Sequence, residues 1–279
     1  MNKDFAIFIL THGRPDNVIT LDTLKKCGYT GKVFLVIDNE DKRADEYFER
    51  YGRKMVIQFD KKKYADECDE CNNFDERRTI TMARNASFDI AKQVGVKYFM
   101  QLDDDYTQFK FRFENKLGFE AGIKSIDSAF NSLIKFYVNS NALSVAISQG
   151  GDHIGGFSYT KLKRKCMNSF LCSTDRPFKF VGAMNEDVNT YTTLGSRGAL
   201  FFSYTSLQLD QKETQSQPGG ITDMYLKYGT YCKAFTTVMN MPSSVKVVMM
   251  NTSNPRLHHK ISWKNTVPKI ISEELRKQS

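Results

Sequence analysis

Long apolar runs are missing from this 279-residue chain: nothing in it approaches the roughly 18 residues that cross a bilayer, which excludes a membrane-spanning helix. The N-terminal run Phe5 to Leu10 leads straight into Thr11, His12, Gly13 and Arg14. It lacks the apolar region and small-residue cleavage site of a signal peptide, and reads as a first strand. Cysteine is thinly spread (Cys27, Cys68, Cys71, Cys166, Cys172, Cys232), so reduced thiols and a cytoplasmic location are expected in place of a disulfide framework. Cys68-Asp69-Glu70-Cys71 has zinc-knuckle spacing, but a structural zinc needs four ligands and Cys166 and Cys172 are spaced wrongly to complete it. No GxxxxGK[ST], GxSxG or HExxH is present, which argues against P-loop, α/β-hydrolase and zincin chemistry. Repeats, low-complexity segments and linkers are absent too, so the whole of 1–279 reads as one domain.

What is present is ordinary globular material: 41% hydrophobic, 13% aromatic and 26% charged residues, which rules out collagen, coiled coil and a disordered chain. Forty basic against thirty-two acidic residues give +8, a balance that suits a polyanionic partner. Short apolar runs at Phe5 to Leu10, Val33 to Ile37, Met55 to Phe59 and Tyr98 to Leu102 predict strands. Helical spacing predicts a helix between Asp16 and Gly28 and a second from about Asp75 to Val94. Alternation of this kind implies an α/β fold with a mixed, mainly parallel sheet flanked by helices. Further on, a helix is expected over Ile126 to Tyr137, strands at Leu143 to Ile147, Ala199 to Tyr204 and Val245 to Met250, and a terminal helix after Pro268.

The strand Tyr98 to Leu102 runs directly into Asp103-Asp104-Asp105. Ligands of open α/β sheets collect at the carboxyl ends of strands, and Asp103 and Asp105, two apart, share a face of an extended chain. Two hard oxygen donors suit Mg²⁺ or Mn²⁺, which would bridge phosphate oxygens. The alternative is an acidic turn with no ligand.

This element resembles the DxD motif of GT-A glycosyltransferases, and other segments resemble the same family in order and spacing. Thr11-His12-Gly13-Arg14-Pro15-Asp16 is similar to its nucleotide-binding opening, and Val36-Ile37-Asp38 to its second strand, ending in an acid near the base or ribose. Arg84-Asn85 stands where such enzymes contact the donor. Asn185-Glu186-Asp187 resembles the xED element, whose acid deprotonates the acceptor in inverting members, and His258-His259 resembles the C-terminal histidine that completes the metal site. Within the fold, the opening Thr-His-Gly-Arg-Pro looks like the TET-associated glycosyltransferases of bacteriophages, thought to place sugars on hydroxymethylated pyrimidines of DNA.

The resemblance implies a Rossmann-like GT-A domain, with 1–120 as the half that binds a nucleotide diphosphate sugar, most simply a UDP-sugar. Residues 121–279 form the acceptor-binding and catalytic half. Thr11, Arg14, Asp38, Arg84, Asn85, Asp103 and Asp104 would face the donor. Asp103 and Asp105 would hold Mn²⁺ or Mg²⁺ with His258 or His259. Asp187 would be the base, with Glu186 as its alternate. The basic run Lys161, Lys163, Arg164 and Lys165, with Arg176 and Lys179 after it, would meet DNA phosphates, and the glycines Gly150 and Gly151 would allow the sugar close approach. The acidic residues before Val188, Tyr191 and Leu194 also fit the first turn of a short helix, where negative charge complements the dipole. A polysaccharide, lipid or protein acceptor, a nucleotidyltransferase, and a non-catalytic nucleic-acid-binding protein remain as other readings; no obligate protein partner is evident.

Overall fold

The computed structural model describes residues 1–66, 77, 79–113, 119–153, 165–212, 222–250 and 255–276. Its strands, in chain order, are β1 (Phe5–Leu10), β2 (Lys32–Asp38), β3 (Val56–Phe59), β4 (Tyr98–Asp103), β5 (Tyr106–Phe113), β6 (Phe119–Gly122), β7 (Ser144–Gln149), β8 (Phe170–Ser173), β9 (Phe201–Gln211), β10 (Val245–Met250) and β11 (Arg256–Ile261). The helices are α1 (Ile19–Lys26), α2 (Ala44–Tyr51), α3 (Lys61–Ala65), α4 (Thr81–Gln93), α5 (Ile126–Ser140), α6 (Glu186–Ser196), α7 (Thr222–Asn240, broken at Gly229) and α8 (Trp263–Thr266).

Among the described residues one nine-stranded sheet runs in the order β3-β2-β1-β4-β8-β7-β9-β5-β6, and β10 and β11 form a separate antiparallel ribbon. The neighbours β3, β2, β1 and β4 are parallel; β8 and β5 run against the other strands. The sheet passes residue 120 without a break, because β5 pairs with β9 and β8 pairs with β4.

The alternation of β1 builds a core on each face. Phe5, Ile7 and Ile9 join α1, α2 and α5 on one side, while Ala6, Phe8 and Leu10 join α4 and α6 on the other. Every residue of β1 is buried, as a strand covered on both faces requires. Along α5, Ile126, Ala129, Phe130, Leu133, Ile134 and Tyr137 bury one stripe at helical spacing, and the helix stops at Asn141 with φ 53°.

Several sequence expectations need correction. The helix expected from about Asp75 begins at Thr81, where the Thr79 hydroxyl accepts the Thr81 amide and turns the chain; residues 67–76 and 78 lie outside the described set. The strand expected from Ala199 begins at Phe201, because the Ala199 amide still bonds back to Leu194 at the end of α6. It continues to Gln211 since β7 and β5 pair with it on opposite edges. Among the described residues a single 3-10 turn (Glu273–Leu275) follows Pro268 in place of a helix. Trp263 stacks on Tyr191, ring centroids 6.0 Å apart, where α8 meets α6. Gly195 lies inside α6 and does not end it: a Cβ there would sit 2.4 Å from the Thr266 carbonyl oxygen, so the glycine lets α8 approach. The Cys68/Cys71 pair lies outside the described residues.

Candidate active site

The parallel strands β1, β2 and β4 end together, and their ends are tied to one another. Asp104, 2% exposed, accepts a 2.6 Å hydrogen bond from the Thr11 hydroxyl and lies 3.4 Å from Arg14 Nε. Tyr47 of α2 bonds Thr11 and accepts the Arg14 amide at 2.8 Å. Asp104 is thus the clasp of the β1 loop. Asp38 is equally committed: its Oδ2 accepts from His12 Nδ1 at 2.7 Å and lies 3.4 Å from the buried Lys61 ammonium. Burial works against the Asp38 anion, but His12 and Lys61 outweigh it and hold the carboxyl below its ordinary range. The exposed partner in this group is His12, whose pKa the Asp38 hydrogen bond raises.

Arg84 and Asn85 both turn inward from α4. The guanidinium is 1% exposed, gives one hydrogen bond to Asp103 Oδ1 (3.2 Å) and one to Glu186 Oε1 (3.0 Å), and lies over the ring of Phe170, 4.9 Å from its centre. Its charge survives burial because Asp103 and Glu186 face it. Asn85 donates to the Phe180 carbonyl (3.1 Å) and accepts the Phe180 amide (2.8 Å), which ties α4 to the segment before α6.

Asp103, Asp104 and Asp105 all titrate above an ordinary aspartate. Burial is the first cause, and for Asp103, pushed up to about 7, the neighbouring acids Asp105, Glu186 and Asp104 add to it against Arg84. Desolvated carboxylates crowded at a strand end suit a hard divalent cation by their chemistry, and Asp103 and Asp105 would be its oxygen donors.

Glu186 and Asp187 open α6, each 8% exposed, after Asn185 in the left-handed region at φ 55°. The Asn185 amide is spent on the Lys233 carbonyl and Thr237 of α7, which fixes that turn. Asp187 is pushed up to about 6 by burial and by Glu186. Lys165 and Lys233 lie on its side of the site. Both are lowered by burial while the charge of Asp187 opposes that shift.

His258 and His259 lie on β11, and the Nε2 atoms of both point at Lys165 Nζ, 3.2 and 3.1 Å away. Burial and the adjacent cations depress them to about 4 and about 2. The two imidazoles sit on the Lys165 ammonium, and among the described residues no three His, Cys, Asp or Glu side chains converge as a metal-ligand set.

Lys165 is half-buried and faces the two imidazoles; its neighbours Lys161, Lys163 and Arg164 lie outside the described residues. Arg176 is also spent internally, on the Ala142 carbonyl at 2.6 Å and over the Tyr137 ring. Gly150 and Gly151 open a 3-10 turn after β7, and a Cβ at Gly151 would meet nothing within 4 Å.

A family model described as TET-Associated Glycosyltransferase matches residues 5–220. The chain belongs to the TET-associated glycosyltransferase family. The match takes in β1 through β9, with Asp103–Asp105, Arg84 and Glu186–Asp187, and stops short of the described part of α7, β10, β11 and the histidine pair. No curated protein matches the chain. Among solved structures, residues 1–349 of TarS from S. aureus align with TM-score 0.43 and 13% identity over 74% of this chain and 60% of that one. The chain spans 60% of the length of that structure.

Sequence reasoning had no means of finding the Arg84–Glu186 link, the Asp104 clasp on Thr11, or Lys233. The only signal was the presence of charged residues in segments that otherwise read as buried.

Proposed function

We propose that this glycosyltransferase moves a sugar from a nucleotide diphosphate sugar, most simply a UDP-sugar, to a hydroxyl on DNA, the exocyclic hydroxyl of a hydroxymethylpyrimidine. The observation that carries the reading is the placement of two acid sets across one buried arginine. Arg84 bonds Asp103, next to Asp105, on one hand and Glu186, next to Asp187, on the other, and this reading takes the first set as facing the donor and the second as facing the acceptor. A divalent cation held by Asp103 and Asp105 would neutralise charge on the departing diphosphate. The chain itself supplies the rest. Asp187, in a desolvated turn that raises its pKa, takes the proton of the acceptor hydroxyl, and Lys165 and Lys233 beside it balance its charge. The DNA acceptor is supported by the family's description and by the net charge of +8. A pyrimidine inside a duplex would have to leave the stack for its hydroxyl to reach Asp187.

The test pairs binding with product analysis. A thermal-shift panel of nucleoside diphosphates and UDP-sugars with and without Mn²⁺ should show metal-dependent stabilisation. Incubation with duplexes carrying hydroxymethylcytosine, or unmodified cytosine, should give a hexose or pentose mass increment and free nucleoside diphosphate with the former alone. Release of pyrophosphate would make the protein a nucleotidyltransferase. Transfer to a polysaccharide, lipid or protein but not to DNA would remove the acceptor assignment.

A further inference from the structure

Two adjacent acids open α6, and a residue pattern cannot say which of them works as the base. The structure distinguishes them by their partners. Glu186 is bound through Oε1 to Arg84 Nε at 3.0 Å, and the same guanidinium holds Asp103 through NH2 at 3.2 Å. Asp187 touches no cation at hydrogen-bonding distance among the described residues; its Oδ1 accepts only the Val188 amide, and Lys165 and Lys233 act on it through space.

Two nitrogens of Arg84 are committed to the Glu186 and Asp103 carboxylates, and Nη1 is buried with no hydrogen-bond partner among the described residues. Its ring partners Phe170 and Phe180 lie 4.9 and 5.7 Å from the guanidinium carbon, and its own carbonyl is held by Gln101 Nε2 at 2.9 Å. Asn85, next in sequence, holds the Phe180 carbonyl and amide through the Nδ2 and Oδ1 of its side chain. At 1% exposure the guanidinium is closed off from solvent. A planar fork with several N–H groups can bridge two carboxylates, whereas a single ammonium cannot do so in the same geometry.

We infer that Arg84 is a positioning residue that does not contact the donor: it ties Glu186 to the donor-side Asp103 and so leaves Asp187 as the acid turned to the acceptor. The inference rests on the reading of the site as a sugar-transfer centre. It replaces the donor contact that the sequence suggested for Arg84, and it gives Glu186 the part of an anchor. A displacement of about 1 Å in a catalytic acid can cost on the order of 10² in rate, which is the scale of effect expected when the tie is broken.

The test is steady-state transfer to hydroxymethylcytosine DNA with Mn²⁺ and whichever UDP-sugar supports wild-type turnover. Calorimetric binding of UDP with Mn²⁺ accompanies it, for wild type, Arg84→Lys, Glu186→Gln, Glu186→Ala, Asp187→Asn and the double variant Arg84→Lys/Glu186→Ala. Arg84→Lys should lower kcat about 100-fold while the donor KM and the UDP affinity stay within about threefold. Glu186→Gln, whose carbonyl oxygen still accepts from Arg84 Nε, should lose far less kcat than Glu186→Ala. The double variant should be no slower than Glu186→Ala, because both changes cut one tie.

A raised donor KM with kcat held in Arg84→Lys would restore Arg84 as a donor contact. Glu186→Gln as inactive as Asp187→Asn would make Glu186 the base, and additive losses in the double variant would separate the two residues; each of these overturns the inference. Should Arg84→Lys not fold, the contrast between Glu186→Gln and Glu186→Ala decides. Wild-type protein inactive with every UDP-sugar removes the transfer reading and this inference with it, whereas an active wild type with the wrong variant pattern removes the inference alone.

Discussion

The two sides of the cleft are built to opposite electrostatic plans. On the side proposed to face the donor, the end of β4 gathers Asp103, Asp104 and Asp105, and burial raises the pKa of all three. On the side proposed to face the acceptor, Lys165 bonds the histidines of β11, Lys233 acts on them through space, and burial lowers both lysines. Each side concentrates one sign of charge where burial weakens screening by water, and Arg84 is the buried contact between Asp103 and Glu186. The difference shows where help is needed. The donor side lacks positive charge, which a cation with a diphosphate would supply, while the acceptor side has cations of its own around Asp187. The two sides also differ in their family signature: Asp103–Asp105 and Glu186–Asp187 fall within the family match, whereas Lys233, His258 and His259 lie beyond residue 220.

The largest expected effect tests whether the sides are functionally separate. Asp187→Asn should reduce transfer by about 10² to 10⁴, the usual contribution of a general base, and leave UDP–Mn²⁺ binding intact. Equal loss of binding would merge the two sides into one. Next, Asp105→Asn should weaken Mn²⁺-dependent UDP binding by at least about tenfold in titration calorimetry. Asp105 is the cleaner probe of the donor side, because Asp103→Asn also strips a partner from the buried Arg84 and should lower thermal stability.

The pH dependence follows from the raised acids. As the proposed base Asp187 would work deprotonated, and because burial and Glu186 raise its pKa, kcat should fall as pH drops below neutrality. Stability should move the other way. Asp103 titrates near 7 against 3.8 for an ordinary aspartate, so between those values the native state binds more protons than the unfolded chain. Its contribution to the melting temperature should therefore decline as pH rises from about 4 to about 7, and added Mn²⁺ should flatten that slope. A melting temperature rising steadily across this window without metal would contradict the donor-side account.

The smallest effect belongs to the acceptor side. Lys165→Met should move the titration of His258 upward from about 4 in an NMR pH series, since the lysine charge depresses it and burial, the larger cause, remains. The chain's four histidines make the resonances assignable. An unchanged titration would take Lys165 off the imidazoles.

Legibility in the sequence followed the same division. β1 and β10 have the bounds their apolar runs suggest, and β2, β3 and β4 match within a residue at each end, because Phe-, Val- and Ile-rich runs between turn residues encode strands locally. The first turn of α6 was legible from Val188, Tyr191 and Leu194 with two acids before them. By contrast β11, which carries His258 and His259, has the sequence Arg-Leu-His-His-Lys-Ile and no strand signal; its register comes from pairing with β10, Val248 opposite His258. Short β8 and α3 were unreadable for the same reason, since tertiary neighbours outweigh weak propensity there.

By itself, then, the sequence determined the alternation of strands and helices, the arrival of three aspartates at a strand end and of two acids at a helix start, all of which depend on residues a few positions apart. Only the tertiary structure decided which charges meet: Arg84 with Asp103 and with Glu186, 102 positions away, Thr11 with Asp104, and Lys165 with histidines more than 90 positions on. A buried charge must find a partner or coordinate an ion, and which partner it finds is set by strand order and layer packing, which no local periodicity encodes.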